Sequence, residues 1–189
     1  MMQKLFSYDK GIGISLLRNP MGASDLARSA YSYDDGGVDP NLNNFTVQHD
    51  TADVLPLTKQ ALSLNPALTV MGSPWSAPGW MKDTNTMLGG HLQAQYYGTY
   101  ASYFVKYLQE YAKNGVKVSL VTPQNEPGVN RATCPPWAGT QRSGLLRRIG
   151  TPAQAARSRT EHQSGCARLE PRGLRRYLGP DRERRRGAQ

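Results

Sequence analysis

Residues 117–128 read KVSLVTPQNEPG. Lys117–Thr122 has the β-branched, apolar character of a buried strand, and Pro123 stops it. Beyond the stop the chain presents an amide and an acid, Asn125 and Glu126, held in front of Pro127. An acid at the carboxyl end of an apolar strand has no obvious packing use. The question it sets is which other strand ends face the same way.

Upstream of this strand, Gln93–Asn114 repeats bulky side chains at Tyr96, Tyr100, Tyr103/Phe104, Tyr107/Leu108 and Tyr111, a helical period closed by Asn114-Gly115. Leu68–Ser73 (LTVMGS) reads as a second strand. Before it, Asp50 or Thr51 caps a helix with Val54, Leu55, Thr58, Ala61 and Leu62 on one face, stopped by Asn65-Pro66. Ile12–Arg18 (IGISLLR) reads as the first strand and ends at Asn19-Pro20-Met21-Gly22. The order β-α-β-α-β predicts parallel strands joined by crossover helices.

The strand-to-helix connections, 19–49 and 74–92, are long, whereas the helix-to-strand ones take two or three residues. One edge is therefore elaborated, as in a (β/α)₈ barrel or a doubly wound sheet whose function sits at the carboxyl ends of its strands. Arg18, Asp25, Trp75, Trp80, Asn125 and Glu126 each follow a strand within a few residues, so a parallel sheet would bring them together. Each also has a bland reading. Asp25 suits a turn cap in Ala-Ser-Asp, Arg18 a core-edge ion pair, the two tryptophans loop anchors, and the tyrosine stripe core packing.

The net charge of +9 does not belong to this ordered pattern. Residues 1–128 carry nine Lys and Arg against ten Asp and Glu, whereas residues 129–189 carry fourteen Arg against four acids. From Ala138 onward Arg, Gly, Ala and Pro replace most large apolar residues, too little to offset chain entropy. Cys134 and Cys166 have no metal-ligand spacing beside them. The opening MMQKLFSYDKG lacks the apolar run of a signal peptide, and no stretch is long and apolar enough for a membrane helix. Gly11-Ile12-Gly13 opens a strand instead of closing one and no Walker-type GK[ST] occurs, which argues against a nucleotide site. His49 and His91 adjoin no nucleophile elbow.

Three blocks, RNPMGASDLARSAYSYDD, GSPWSAPGWMKDTNTMLGGHL and VTPQNEPG, in this order and spacing, resemble glycoside hydrolase family 30, the glucosylceramidase-like enzymes. The resemblance runs from about Leu5 to Thr133. It implies a partial TIM barrel of about three βα units, with a domain at 1–133. By the same resemblance Glu126 matches the general acid/base and Asn125 the amide that bonds the sugar 2-hydroxyl. Asp25 and Trp75 match residues that bind the glycone, and Arg18 a basic residue supporting the site from beneath. The implied reaction is retaining hydrolysis of a β-glucoside, foremost of the glucosylceramidase type, with β-xylosidase, β-1,6-glucanase and xylanase specificities as alternatives. It requires no metal and no cofactor. The implied partner is a carbohydrate or glycolipid, with no nucleic acid and no stable membrane insertion, and the implied setting is secreted or extracellular.

Such chemistry uses an acid that holds its proton near neutrality, for which Trp75 and Trp80 could supply apolar walls, and a second carboxylate as nucleophile. The family's nucleophile is a glutamate near the end of the seventh barrel strand. Glu110 lies within a helix, and Glu161, Glu170 and Glu183 fall in the Arg-rich segment, so no residue is nominated for that role. Residues 134–189 are expected to form a disordered tail produced by a shift of reading frame near Thr133-Cys134. Codons TGC-CCT-CCA-TGG-GCT-GG can encode Cys134–Gly139, and read two bases later they give Pro-Ser-Met-Gly-Trp, close to the Tyr-Pro-Ser-Met that commonly follows NEP in the family. A second class, a basic nucleic-acid-binding protein acting through the fourteen arginines, is disfavoured because functional basic segments usually interleave Lys and aromatics and this one has no Lys.

Overall fold

The computed structural model describes residues 1–126 and the residue pair Ala167–Arg168. The expected tail, 134–189, lies outside the described residues except for that pair. The elements are α1 (Met2–Phe6), β1 (Leu16–Met21), α2 (Val54–Leu64), β2 (Thr69–Pro74), α3 (Tyr97–Lys113), β3 (Val118–Val121) and β4 (Ala167–Arg168). The sheet order is β1-β2-β3-β4. β1 pairs with β2 in parallel from Leu16↔Thr69 to Met21↔Pro74, and β2 pairs with β3 in parallel. β4 is an addition the sequence did not suggest, antiparallel to Leu120 and Val121. The three parallel strands with their crossover helices are what the alternation predicts.

The first strand lies later than the expected 12–18. Ile12 and Ile14 donate their N–H groups to Lys4 O and Leu5 O, both at 2.9 Å, and Gly13 turns between them at φ 62. That half of the apolar run is thereby tied to α1 and cannot pair with β2. The strand instead continues through Pro20, which an edge position tolerates because a missing N–H breaks no ladder bond there. Phe6 packs with Ala61 and Leu68, backed by Ile14 and Leu17, and so closes the amino-terminal end of the sheet.

The expected helix over 54–64 buries Leu55, Thr58 and Ala61. Asp50 and Thr51 belong to a preceding 3-10 turn, Gln48–Thr51, and the N-cap position is Asp53, without a side-chain cap bond. Asn65 stops the helix and stitches it down: its Nδ2 donates to Ile14 O at 2.9 Å while its Oδ1 accepts from Ala67 N–H at 3.1 Å. Thr58 is tied to the first strand, its Oγ1 accepting from Asn19 Nδ2 at 2.9 Å.

The tyrosine stripe of α3 is core. Tyr100, Tyr103, Phe104, Tyr107, Leu108 and Tyr111 are buried, and the helix closes where Gly115 takes φ 79 and Val116 N–H reaches back to Tyr111 O at 2.9 Å. Tyr107 lies so close over β2 that a Cβ on Gly72 would stand 2.7 Å from its ring. The long loop after β1 is held to this helix by one buried carboxylate. Asp50 accepts the hydroxyls of Tyr31 at 2.9 Å and of Tyr33 and Tyr111 at 2.5 Å each. Burial first, with the Asp50 charge adding to it, pushes the Tyr31 hydroxyl well above the usual phenol range, so it stays a donor throughout the working pH range.

Asp50→Asn keeps the volume but replaces one acceptor oxygen with a donor, leaving a phenol facing an N–H₂ group. It is expected to lower the unfolding free energy by about 2–4 kcal/mol, read from urea midpoints of the full chain. A change below about 0.5 kcal/mol would show that the three phenols do not hold the loop.

Candidate glycone-binding site at the strand ends

The carboxyl ends of β1, β2 and β3 lie on one edge of the sheet because all three strands run parallel. Arg18 rises from β1 opposite Met71, and its Nη2 donates to Ser73 Oγ at 2.8 Å and to Asn125 Oδ1 at 2.5 Å. A guanidinium nitrogen of that kind carries two hydrogens, so one atom can serve both acceptors. The guanidinium carbon also sits 4.8 Å from the centroid of the Trp75 ring, within cation–π range. Arg18, on β1, is thus fixed by groups from the ends of the other two strands, and it bridges to acceptors instead of to the ion-pair partner the bland reading called for.

Asn125 is held through its backbone as well. Its N–H donates to Pro74 O at 2.7 Å, and Thr122 N–H donates to Gly72 O at 3.0 Å, so pairing between the second and third strands continues past the end of the regular ladder. The next residue, Glu126, is exposed and takes φ 43, a left-handed backbone uncommon outside glycine. Left-handed non-glycine residues concentrate where the surrounding structure imposes them, often at functional sites. Trp75 is half-buried, one indole face occupied by the arginine.

Two expected members are placed elsewhere. Asp25 is exposed on the turn closed by Ala27 N–H to Ser24 O at 3.1 Å, and the side chain capping that turn is Ser24, whose Oγ accepts from Leu26 N–H. No hydrogen bond among the described residues joins Asp25 to Arg18, Ser73 or Asn125. Trp80 is buried against Tyr96 and donates Nε1–H to Asp34 O at 2.9 Å. It anchors the loop after β2. Trp75 alone of the two tryptophans stands at the strand-end cluster. His49 stacks on Tyr31 at 3.7 Å between ring centroids, and His91 pairs with Asp83 at the surface.

The sequence reading missed Ser73 and Thr122. Their hydroxyl oxygens lie 2.6 Å apart, next to Arg18. Both are polar residues closing an otherwise apolar strand, a signal that was present in LTVMGS and VSLVT. It also missed Asp34, a buried carboxyl neither of whose oxygens has a hydrogen-bond partner among the described residues. Among those residues no group of three His, Cys, Asp or Glu side chains could hold a metal.

A parallel α/β sheet that gathers an amide and an arginine–indole pair at its strand ends, with Glu126 next in the chain, defines the class: a (β/α) unit whose elaborated edge lies at the carboxyl ends of its strands. The chain belongs to glycosyl hydrolase family 30, whose TIM-barrel domain model matches residues 1–144. It is 39% identical over 140 residues to an endo-1,6-beta-D-glucanase of Trichoderma harzianum, covering 66% of this chain and 29% of that protein. It is 37% identical over 124 residues to the lysosomal acid glucosylceramidase of Mus musculus, covering 62% of this chain and 24% of that protein. Among solved structures it superposes on the endo-beta1,6-glucanase BT3312 with a TM-score of 0.71 and 34% identity, covering 83% of this chain and 36% of that one. The chain therefore spans less than a third of the length of these two curated relatives.

Asp34 yields a pH test. Burial, then the charges of Asp39 and Asp35, raises its pKa to about 6, against the ordinary carboxyl value of 3.8. The fold favours the protonated form, so this contribution is full below the ordinary value and is lost as pH rises toward 6. Asp34→Asn should match the parent chain in thermal midpoint near pH 4 and exceed it near pH 7. Parallel midpoint curves across that window would refute the assignment.

Proposed function

We propose that this chain carries the acid/base and glycone-binding half of a retaining β-glycoside hydrolase site, acting on β-glucosides. The observation that carries the reading is the Arg18 bridge, which joins Trp75, Ser73 and Asn125 into one edge directly before Glu126. In this reading Glu126 protonates the leaving oxygen and then deprotonates water, as retention requires of one carboxyl. Asn125 bonds a sugar hydroxyl, Trp75 offers apolar surface to a pyranose face, and Asp25 reaches the glycone from its exposed turn when substrate arrives.

Retention also needs a nucleophilic carboxylate about 5–5.5 Å from the acid. Glu110, the other glutamate among the described residues, lies in the last turn of α3 paired with Lys113 at 2.6 Å and does not serve. In this reading the half-site formed by the described residues binds the glycone and leaves the nucleophile's role unfilled. The relatives' names divide between β-1,6-glucan and glucosylceramide. Both classes present a β-linked glucose, which is the part these residues address. A substrate of either class fits a secreted or extracellular setting.

Titration of the full 189-residue chain with gentiobiose, the β-1,6-linked glucose disaccharide, tests the reading. Saturable binding is expected, weakened roughly fivefold or more in Trp75→Ala. The same chain is expected to release no nitrophenol from 4-nitrophenyl β-D-glucoside above the buffer blank. Absence of gentiobiose binding would overturn the glycone assignment. Turnover that Glu126→Gln abolishes would reveal a second carboxylate in reach.

A further inference from the structure

Asn125 can present either its oxygen or its N–H₂ group to a ligand, and an amide free to rotate would offer both. Here the oxygen is committed. Arg18 Nη2 donates to Oδ1 at 2.5 Å, and arginine has no acceptor with which the reverse orientation could pair. The amide is thereby oriented with Oδ1 toward the guanidinium and Nδ2 away from it. The choice rests on where Arg18 stands, and that is decided one step further back. Ser73 Oγ, fully buried at 0% exposure, accepts from the same Nη2 at 2.8 Å and lies 2.6 Å from Thr122 Oγ1.

We propose that the Ser73–Thr122 hydroxyl pair is a positioning element: it fixes Arg18, and through Arg18 the orientation of the Asn125 amide at the site. This inference rests on the glycone-binding reading above for the identity of the ligand. The geometry itself argues for the chain of contacts. Arg18 is a long side chain, exposed at its strand, and would lose several rotors of freedom if it were held by Asn125 alone. Trp75 restrains it from one face only, and stacking fixes no rotation about the ring normal. The buried Ser73 hydroxyl supplies the missing directional contact, and Thr122, from the neighbouring strand, fixes which way that hydroxyl faces. The two hydroxyls come from β2 and from the residue that follows β3, so the pairing of these strands sets the orientation of the ligand-facing amide.

The test uses the full chain and two readouts. In the first, gentiobiose affinity is compared across a double-mutant cycle of Ser73→Ala and Asn125→Ala. Ser73→Ala is expected to weaken binding roughly fivefold in the parent background and to have no further effect once Asn125 is alanine. Equal, additive losses in both backgrounds would show that Ser73 acts only through the general fold and would overturn the proposal. Thr122→Val, which is nearly isosteric, should reproduce the loss from the far end of the chain of contacts, and full affinity in that variant would equally count against it. The second readout is the Asn125 side-chain N–H₂ pair in a ¹⁵N-correlated NMR spectrum, measured without sugar. The proposal expects the chemical shifts of that pair, two resolved protons in every variant because amide rotation is slow, to change in both Ser73→Ala and Thr122→Val. Unchanged shifts in both variants would overturn it. If the variants show these shift changes but the parent chain binds no gentiobiose, the glycone reading fails while the positioning element stands.

Discussion

Parallel pairing of three strands is the constraint on which the remainder depends. Leu16–Met21, Thr69–Pro74 and Val118–Val121 all run the same way, so three loops that are far apart in sequence leave the sheet from one edge. Arg18 and Asn125, separated by 107 positions, then stand within a hydrogen bond of each other. No local propensity could have produced that contact; it follows from crossover helices that return each strand beside the last. The helices do this through buried aromatic surface. Tyr107 lies on Gly72, and Tyr31, Tyr33 and Tyr111 converge on Asp50 from the loop and from α3 together.

That arrangement separates two uses of the same residue types. Asp50 is a buried carboxylate whose acceptor capacity is used internally by phenols, and it organises the long loop after the first strand. Glu126 is an exposed carboxylate on a left-handed backbone, with its capacity turned outward. Trp80 spends its N–H on Asp34 O and belongs to the scaffold, while Trp75 gives a face to Arg18 at the cluster. Burial and partner together, more than residue type, distinguish scaffold from site here.

Much of this was legible in the sequence, for reasons that particular residues make plain. The helix over 97–113 announced itself because a tyrosine every third or fourth position has one period and one use, and Asn114-Gly115 has one conformation to adopt. The strands at 69–74 and 118–121 were short apolar runs bounded by Pro and Gly. The first strand was misplaced because IGISLLRNPM is apolar on both sides of its true start. Only tertiary bonds from Ile12 and Ile14 to α1 decide which half pairs with β2. Arg18, Trp75, Asn125 and Glu126 were found as polar or aromatic residues at strand ends. Ser73 and Thr122 were not, since a hydroxyl at a strand end is common and its meaning depends on a partner 49 residues away. Asp25 was grouped with them as a residue soon after a strand and then by resemblance, and in the fold it stands exposed on its own turn.

The central claim is that the three strand ends form one glycone-binding edge beside Glu126. N-bromoacetyl β-D-glucosylamine tests it directly, because a bound glucose would hold its reactive carbon where an acid/base carboxylate stands, and peptide mass spectrometry locates the ester. Alkylation of Glu126 in the full chain, suppressed by excess gentiobiose and by Trp75→Ala, is the result the account predicts. Modification spread over exposed carboxylates such as Asp9 and Asp83, indifferent to gentiobiose, would contradict it.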